Sequence, residues 1–115
     1  MSTLDIQYVP KQMAVFTTIL DDHVEFNKYL KQVILEHRQN NPETTKSNVK
    51  AWHSSWVTHN ENPKFQPIVD RVLDACKFIS QGYYEGGDDL NYWVSNMWAM
   101  MYEDTEWTKR HSHFP

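Results

Sequence analysis

Two histidines one residue apart, His111 and His113, are the residues whose types and spacing best fit a chemical site. In an extended strand, side chains at positions i and i+2 point to the same face, so the two imidazoles can converge on one ion. Neutral imidazole suits Fe(II), Zn(II), Cu(II) and Ni(II), so the pair does not select the metal, and a further histidine or carboxylate must come from a distant strand. The same spacing also fits a frayed segment that carries two exposed histidines.

A second group of histidines lies in AWHSSWVTHNE, where His53 and His59 are interleaved with Trp52 and Trp56. Six positions between two histidines fit neither one face of a helix nor one face of a strand. We therefore expect structural roles for this group. In this interpretation His53 and Trp52 pack or form hydrogen bonds, and His59 lies in a solvated loop.

The composition restricts the class of protein. With 115 residues, 40% of them hydrophobic, the chain is long enough for one domain, residues 1–115, with a modest core. A net charge of -4 without a basic stripe predicts no nucleic-acid partner. No apolar run approaches the roughly 20 residues that span a bilayer, which predicts no membrane partner. The single cysteine and the absence of a signal-peptide pattern favour a cytoplasmic protein.

The first part of the chain predicts two strands and a helix. LDIQYVP and QMAVFTTIL are rich in β-branched and aromatic residues, which is typical of strands. DDHVEFNKYLKQVILEHRQNN has helical spacing, with Asp22 and Glu25 at N-cap and N3 positions and Asn41-Pro42 ending the helix. The apolar face of this helix consists of Phe26, Leu30, Val33, Ile34 and His37.

The remainder predicts a connection, a second helix and two further strands. VKAWHSSWVTHNENP is interpreted as irregular or partly extended, and PKFQPIVDRVLDACKFISQGYY as a helix that ends at the turn EGGDD. LNYWVSNMWAMMYE is apolar at both parities, which favours a strand buried on both faces, although a buried helix also fits. DTEWTKRHSHFP would begin the next strand. The apolar stripe of the second helix is Phe65, Ile68, Val69, Val72, Leu73, Cys76 and Ile79.

These elements predict an α+β fold in which two helices pack on part of a sheet. A strand buried on both faces needs neighbours on both sides, and the chain provides few after Tyr102. We therefore expect the chain to be the N-terminal portion of a longer protein. Its unpaired strands also predict self-association.

Three segments, taken in order, resemble one protein family. They are SNVKAWHSSW (residues 47–56), NYWVSNMWAMMYE (residues 91–103) and TEWTKRHSHFP (residues 105–115). Together they resemble 2-oxoglutarate/Fe(II)-dependent oxygenases of the type carried by marine cyanobacterial viruses. In that family a Ser-Asn…Trp-His-Ser segment precedes the second helix. A strand of the form Trp…Asn-Met-Trp-Ala-Met then leads into a His-x-His-x-Pro stretch.

The resemblance implies a double-stranded β-helix (jelly-roll) fold, truncated here before the barrel is complete. It implies Fe(II) held by two histidines and usually a carboxylate, with 2-oxoglutarate as co-substrate for hydroxylation of a C–H bond. His111 matches the first-ligand position. His113 matches a position where many related oxygenases have Asp or Glu, so either it is a ligand or the iron has an open site there.

The resemblance also sets expectations about what surrounds the iron. Every second residue of the strand that would flank the pocket points to the same face, and three of these residues are Trp98, Met100 and Tyr102. Their side chains either line the pocket or belong to the core. Nothing in the chain matches the distal histidine or the basic residue that binds 2-oxoglutarate, so the chain alone should be inactive. The prime substrate, a small molecule or a protein, is not indicated, and a viral protein would act in the host cytoplasm.

Two other functions fit the same residues. The first is a non-catalytic, Trp-rich protein-interaction module whose partner supplies a strand to the sheet. The second is a cupin-like metal-binding protein that uses both His111 and His113 without 2-oxoglutarate.

Overall fold

The computed structural model describes residues 3–9, 13–44, 49–83, 86 and 90–111. It forms two compact units, Met1–Lys31 and Gln32–Pro115, which are described separately below. The assignment of the chain to one domain stays a prediction. No helix of the described residues is long and apolar enough to cross a membrane.

The first unit contains a β-hairpin and the beginning of a helix. Strands β1 (Thr3–Val9) and β2 (Met13–Ile19) are antiparallel, with Thr3 opposite Ile19 and Val9 opposite Met13. Both predicted strands are therefore confirmed. Exposure alternates along β2 as expected for a strand with one covered face: Phe16 and Thr18 are half-buried, and their neighbours are exposed.

Helix α1 (His23–Asn40) confirms the first predicted helix and its apolar face. Phe26, Val33 and His37 are buried, and the other two members of that face are half-buried. The helix ends where the sequence predicts. Both the backbone and the side-chain amides of Asn41 donate to the carbonyl oxygen of His37, at 2.9 and 3.0 Å, and Pro42 follows.

The second predicted helix is also confirmed. A 3₁₀ turn (Pro63–Phe65) leads directly into α3 (Gln66–Tyr83). Asn62 begins the turn, because its side-chain oxygen accepts from the backbone N–H of Lys64 at 3.0 Å. Within the apolar stripe Phe65 and Val69 are buried, whereas Val72 is exposed and the others, including Cys76, are half-buried.

Residues 49–54 and residues 99–108 run antiparallel and together form a two-stranded ribbon. Each side of this ribbon contains two short strands. β3 (Val49–Lys50) pairs with β6 (Trp107–Thr108), and β4 (Trp52–His53) pairs with β5 (Met100–Met101), both antiparallel. Residues 102–106 loop out between β5 and β6, with Thr105 at a φ of 71°. Beyond the ribbon the chain continues into a one-turn helix, α2 (Thr58–Glu61). The predicted connection is thus extended only in part.

The predicted long strand over LNYWVSNMWAMMYE is wrong. Only Met100–Met101 form a ladder there, and Met97 makes an isolated parallel bridge with Val57. Trp93 is 79% exposed, so this segment is not buried on both faces. The physical reason is backbone pairing, because a strand buried on both faces needs hydrogen-bonded neighbours on both sides. Among the described residues this segment has one such neighbour, residues 49–54, which pair with residues 99–101.

The mixed α+β class is confirmed, with three helices and short antiparallel pairings among the described residues. The short α2 was not predicted, because its sequence THNE has no apolar periodicity of its own.

Candidate functional site

His111, the first candidate metal ligand, lies just beyond β6 and is exposed. Its Nδ1 is 2.9 Å from the carbonyl oxygen of Lys109. Because a carbonyl oxygen only accepts, this contact places the ring proton on Nδ1 and the lone pair on Nε2. Metal-binding histidines commonly have this arrangement, in which a backbone carbonyl orients the ring. His113 lies outside the described residues, so the convergence of the two imidazoles stays a prediction.

The described residues provide only part of a metal-ligand set. They contain no group of three or more His, Cys, Asp or Glu that could hold an ion. His111 is thus the one described residue of the predicted ligand pair. Iron and 2-oxoglutarate stay predictions from the resemblance, and no reaction step is derived through them.

The buried centre of the ribbon is His53, which is 1% exposed. Its ring stacks on Trp98, with centroids 5.6 Å apart and planes at 16°. Trp56 contacts the same pair, edge-on to Trp98 at 4.7 Å. His53 therefore packs as expected, although its partners are Trp56 and Trp98. Trp98, a predicted pocket residue, covers this histidine and keeps part of its own ring in solvent.

Met100 and Tyr102, the other predicted pocket residues, contact each other. The phenol hydroxyl of Tyr102 is 3.7 Å from the sulfur of Met100 and also hydrogen-bonds to the hydroxyl of Thr108. These contacts connect β5 with β6 across the looped-out residues. Met100 is half-buried and Tyr102 is exposed. The contact shows that these two side chains share a face, as their parity predicts.

Ser54 holds the end of the ribbon in register. Its backbone N–H donates to the carbonyl oxygen of Ala99 at 2.9 Å. Its Oγ accepts from the backbone N–H of Ala99 at 2.7 Å and from the hydroxyl of Thr58 at 2.7 Å. All three residues are buried, so each of these groups depends on a protein partner.

Replacing Ser54 with alanine should lower the free energy of unfolding by about 1–3 kcal/mol, because the buried N–H of Ala99 loses its acceptor. Urea unfolding followed by circular dichroism measures the change. Ser95→Ala is the control, since this serine is exposed and its removal should change stability by less than about 0.5 kcal/mol. Equal stability of Ser54→Ala and the unsubstituted chain would contradict this role of the hydroxyl.

A second buried cluster fixes the ribbon against the end of α1. The indole N–H of Trp52 donates to the carbonyl oxygen of Asn41 at 2.8 Å, and the Trp52 ring lies edge-on to His37 at 6.2 Å. His37 also contacts Phe65 at 5.4 Å, and the amide of Asn62 donates to its Nδ1 at 3.1 Å. These contacts make His37 a structural residue, which agrees with its predicted place on the apolar face of the helix.

The expectation that His59 lies in a solvated loop is wrong. This side chain is 9% exposed and belongs to α2. Its Nε2–H donates to the carbonyl oxygen of Val94 at 2.8 Å, and its buried Nδ1 has no hydrogen-bond partner in the described structure. The bond joins residues that are 35 positions apart. The local polarity of VTHNE therefore could not reveal the burial of this histidine.

A shallow cavity of about 210 Å³ lies on the segment that His59 contacts. It is lined by Asn91, Tyr92, Trp93 and Ser95. None of these residues was predicted as a site residue, and the predicted Trp98, Met100 and Tyr102 do not line this cavity. The aromatic residues of NYW were the one feature of the sequence that could indicate this cavity. They were instead interpreted as part of a buried strand, and that prediction was wrong.

Comparison of the chain with family models, with curated proteins and with solved structures finds no match.

Proposed function

We propose that the chain contributes the first part of the metal site of a 2-oxoglutarate- and Fe(II)-dependent oxygenase with a jelly-roll fold, in which His111 is an iron ligand. The observation that carries the proposal is the ribbon. Of the three segments that resemble this family, the first is far in sequence from the other two, yet strands from all three lie side by side: β3 and β4 come from the first, β5 from the second and β6 from the third. In a jelly-roll oxygenase these strands would belong to one sheet of the barrel.

The ribbon also determines where the histidine segment begins. β6 pairs with β3, with Thr108 opposite Val49, so a paired strand ends at Thr108 and only Lys109 and Arg110 separate it from His111. The contact of Nδ1 with Lys109 then orients the imidazole with its lone pair on Nε2. When bound, Fe(II) would supply coordination positions for 2-oxoglutarate and O₂. In this proposal the chain holds the imidazole of His111 at the edge of the ribbon. His113 is either a second ligand or leaves an open position on the iron.

The test is a titration of the chain with Co(II), a redox-stable stand-in for Fe(II), followed by NMR of the histidine rings. We expect the resonances of His111 to broaden at the lowest Co(II) concentrations. His23 is the internal reference, because it is also exposed and its Nδ1 also lies 2.9 Å from a backbone carbonyl, that of Leu20. Broadening of His113 together with His111 would identify it as a second ligand, whereas an unchanged His113 would favour the open position.

Equal broadening of His23 and His111 would indicate adventitious binding to exposed imidazoles and would contradict the proposal. If Co(II) leaves all six histidines unchanged, the oxygenase and cupin-like functions both fail, and the Trp-rich interaction module is favoured.

A further inference from the structure

Between β5 and β6 the chain forms a loop, residues 102–106, that the opposite side of the ribbon does not match. Ala51 is the single residue between β3 and β4, and it faces all five residues of this loop. Insertions of this kind bend a strand and redirect the residues that follow. Here the residues that follow are β6 and, three positions after its end, the candidate ligand His111.

The loop is closed by its own hydrogen bonds, although most of its residues are exposed. The carboxylate of Glu106 accepts from the backbone N–H of Glu103, and the N–H of Glu106 donates to the carbonyl oxygen of Glu103 at 3.0 Å. The phenol hydroxyl of Tyr102, at the start of the loop, hydrogen-bonds to the hydroxyl of Thr108 in β6. These bonds connect the loop with β6, so a displacement of the loop also displaces this strand.

One ion pair connects this loop with helix α1. A guanidinium nitrogen of Arg38 lies 3.2 Å from a carboxylate oxygen of Glu103, and the Arg38 side chain is only 31% exposed. Arg38 belongs to the last turn of α1, and its neighbour His37 is buried against Trp52 and Phe65. Because the cation is held on a packed helix end, the pair fixes the position of the loop relative to α1.

Strand β6 is otherwise weakly held. It pairs with β3 over two residues, Trp107 and Thr108, and the Trp107 indole is 51% exposed. Short and exposed pairings open locally at a low cost in free energy. An open β6 would carry His111 away from the ribbon, and the apparent affinity of a site falls with the fraction of time in which the site is formed. Contacts that keep β6 closed therefore raise the affinity of a site at His111.

We propose that the Arg38–Glu103 ion pair couples the end of α1 to the metal site, so that closing of the pair raises the affinity of His111 for metal. This inference rests on the proposed function, because it takes His111 to be a ligand. By linkage, metal binding favours the closed pair to the same extent that the closed pair favours metal binding. Arg38 and Glu103 do not touch the metal in this proposal and are positioning residues.

The test is an NMR titration with Co(II) that follows the ring resonances of His111, so that binding to carboxylates elsewhere is not counted. Arg38→Glu places two carboxylates together, and we expect the affinity to fall by about three- to tenfold. The added negative charge by itself would attract Co(II), so a fall runs against the effect of net charge. Adding Glu103→Arg to this variant restores a pair of opposite charges and should recover most of the loss.

Lys64→Glu is the matched control. It makes the same change of charge at a second ion pair of α1, in which the Lys64 ammonium lies 2.7 Å from a carboxylate oxygen of Glu36. This pair joins α1 to the 3₁₀ turn instead of the loop, so the affinity should stay unchanged. Without metal, amide hydrogen exchange in β6 should be about three- to tenfold faster in Arg38→Glu than in Lys64→Glu, because exchange reports the local opening.

Failure of the coupling can be distinguished from failure of the metal site. If the unsubstituted chain binds Co(II) at His111 and Arg38→Glu binds it equally well, the coupling is wrong and the ligand assignment stands. Equal losses in Arg38→Glu and Lys64→Glu, no recovery on adding Glu103→Arg, or equal exchange of β6 in the two variants would also overturn the coupling. If Co(II) leaves His111 unchanged in the unsubstituted chain, the proposed function and the coupling both fail.

Discussion

Replacement of Trp52 with alanine is expected to lower the free energy of unfolding of the chain by about 3–5 kcal/mol. The indole is 2% exposed, and it packs on His37 while its N–H donates to the carbonyl oxygen of Asn41. Truncation leaves a cavity where β4 meets the end of α1 and removes the donor to that carbonyl. A domain of this size has a total stability of about 5–15 kcal/mol, so the variant should be partly unfolded at elevated temperature.

Two further variants separate the contributions to this loss. Trp52→Phe keeps an aromatic ring but removes the hydrogen bond, and we expect a loss of about 1 kcal/mol from the bond together with a smaller packing term. Trp93→Ala removes an exposed indole and should change stability by less than about 0.5 kcal/mol. Urea unfolding measures all three. A Trp52→Ala chain as stable as Trp93→Ala would show that the packing of Trp52 is misassigned.

The elements that could be predicted are those determined by local sequence. The hairpin strands and both long helices follow from periodicity and from residues that end elements, such as Asn41-Pro42. Helical hydrogen bonds lie within one segment, so a run of residues with the right spacing specifies its own backbone partners.

The segment LNYWVSNMWAMMYE could not be predicted, because a strand depends on partners that the segment itself does not contain. Its apolar residues at both parities indicated burial on two faces, yet Met97 and Met100 take different partners, in a parallel bridge and an antiparallel ladder. Trp98 is used to cover His53, while Trp93 points to solvent. The pattern of apolar side chains in this segment does not distinguish these residues, although their environments in the structure differ.

The spacing of His111 and His113 predicts a metal pair from the sequence alone, and that role stays a prediction. The burial of His59 depends on a hydrogen bond to Val94, and the cavity depends on how that bond holds residues 91–95. Both are tertiary features. The polar residues around His59 predicted a loop and therefore a solvent-exposed side chain. Tertiary packing overrides such local signals.

His111→Ala is expected to weaken Co(II) binding by about 100-fold or more. Loss of an outer hydrogen-bond partner of a metal ligand already costs about 10–100-fold in affinity, so loss of the ligand itself should cost no less. The variant should fold normally, because His111 is exposed and its Nδ1 contact is with the nearby Lys109 carbonyl. Its near-ultraviolet circular dichroism and urea midpoint should therefore match those of the unsubstituted chain.

The most direct measurement of the central claim, that His111 is a metal ligand, is calorimetric titration of Co(II) into three chains: unsubstituted, His111→Ala and His23→Ala. His23 is matched in exposure and in the contact of its Nδ1 with a backbone carbonyl. The proposal predicts that the affinity falls by about 100-fold in His111→Ala and stays unchanged in His23→Ala. Equal affinity in all three chains, or an equal loss in both variants, would contradict a metal site at His111.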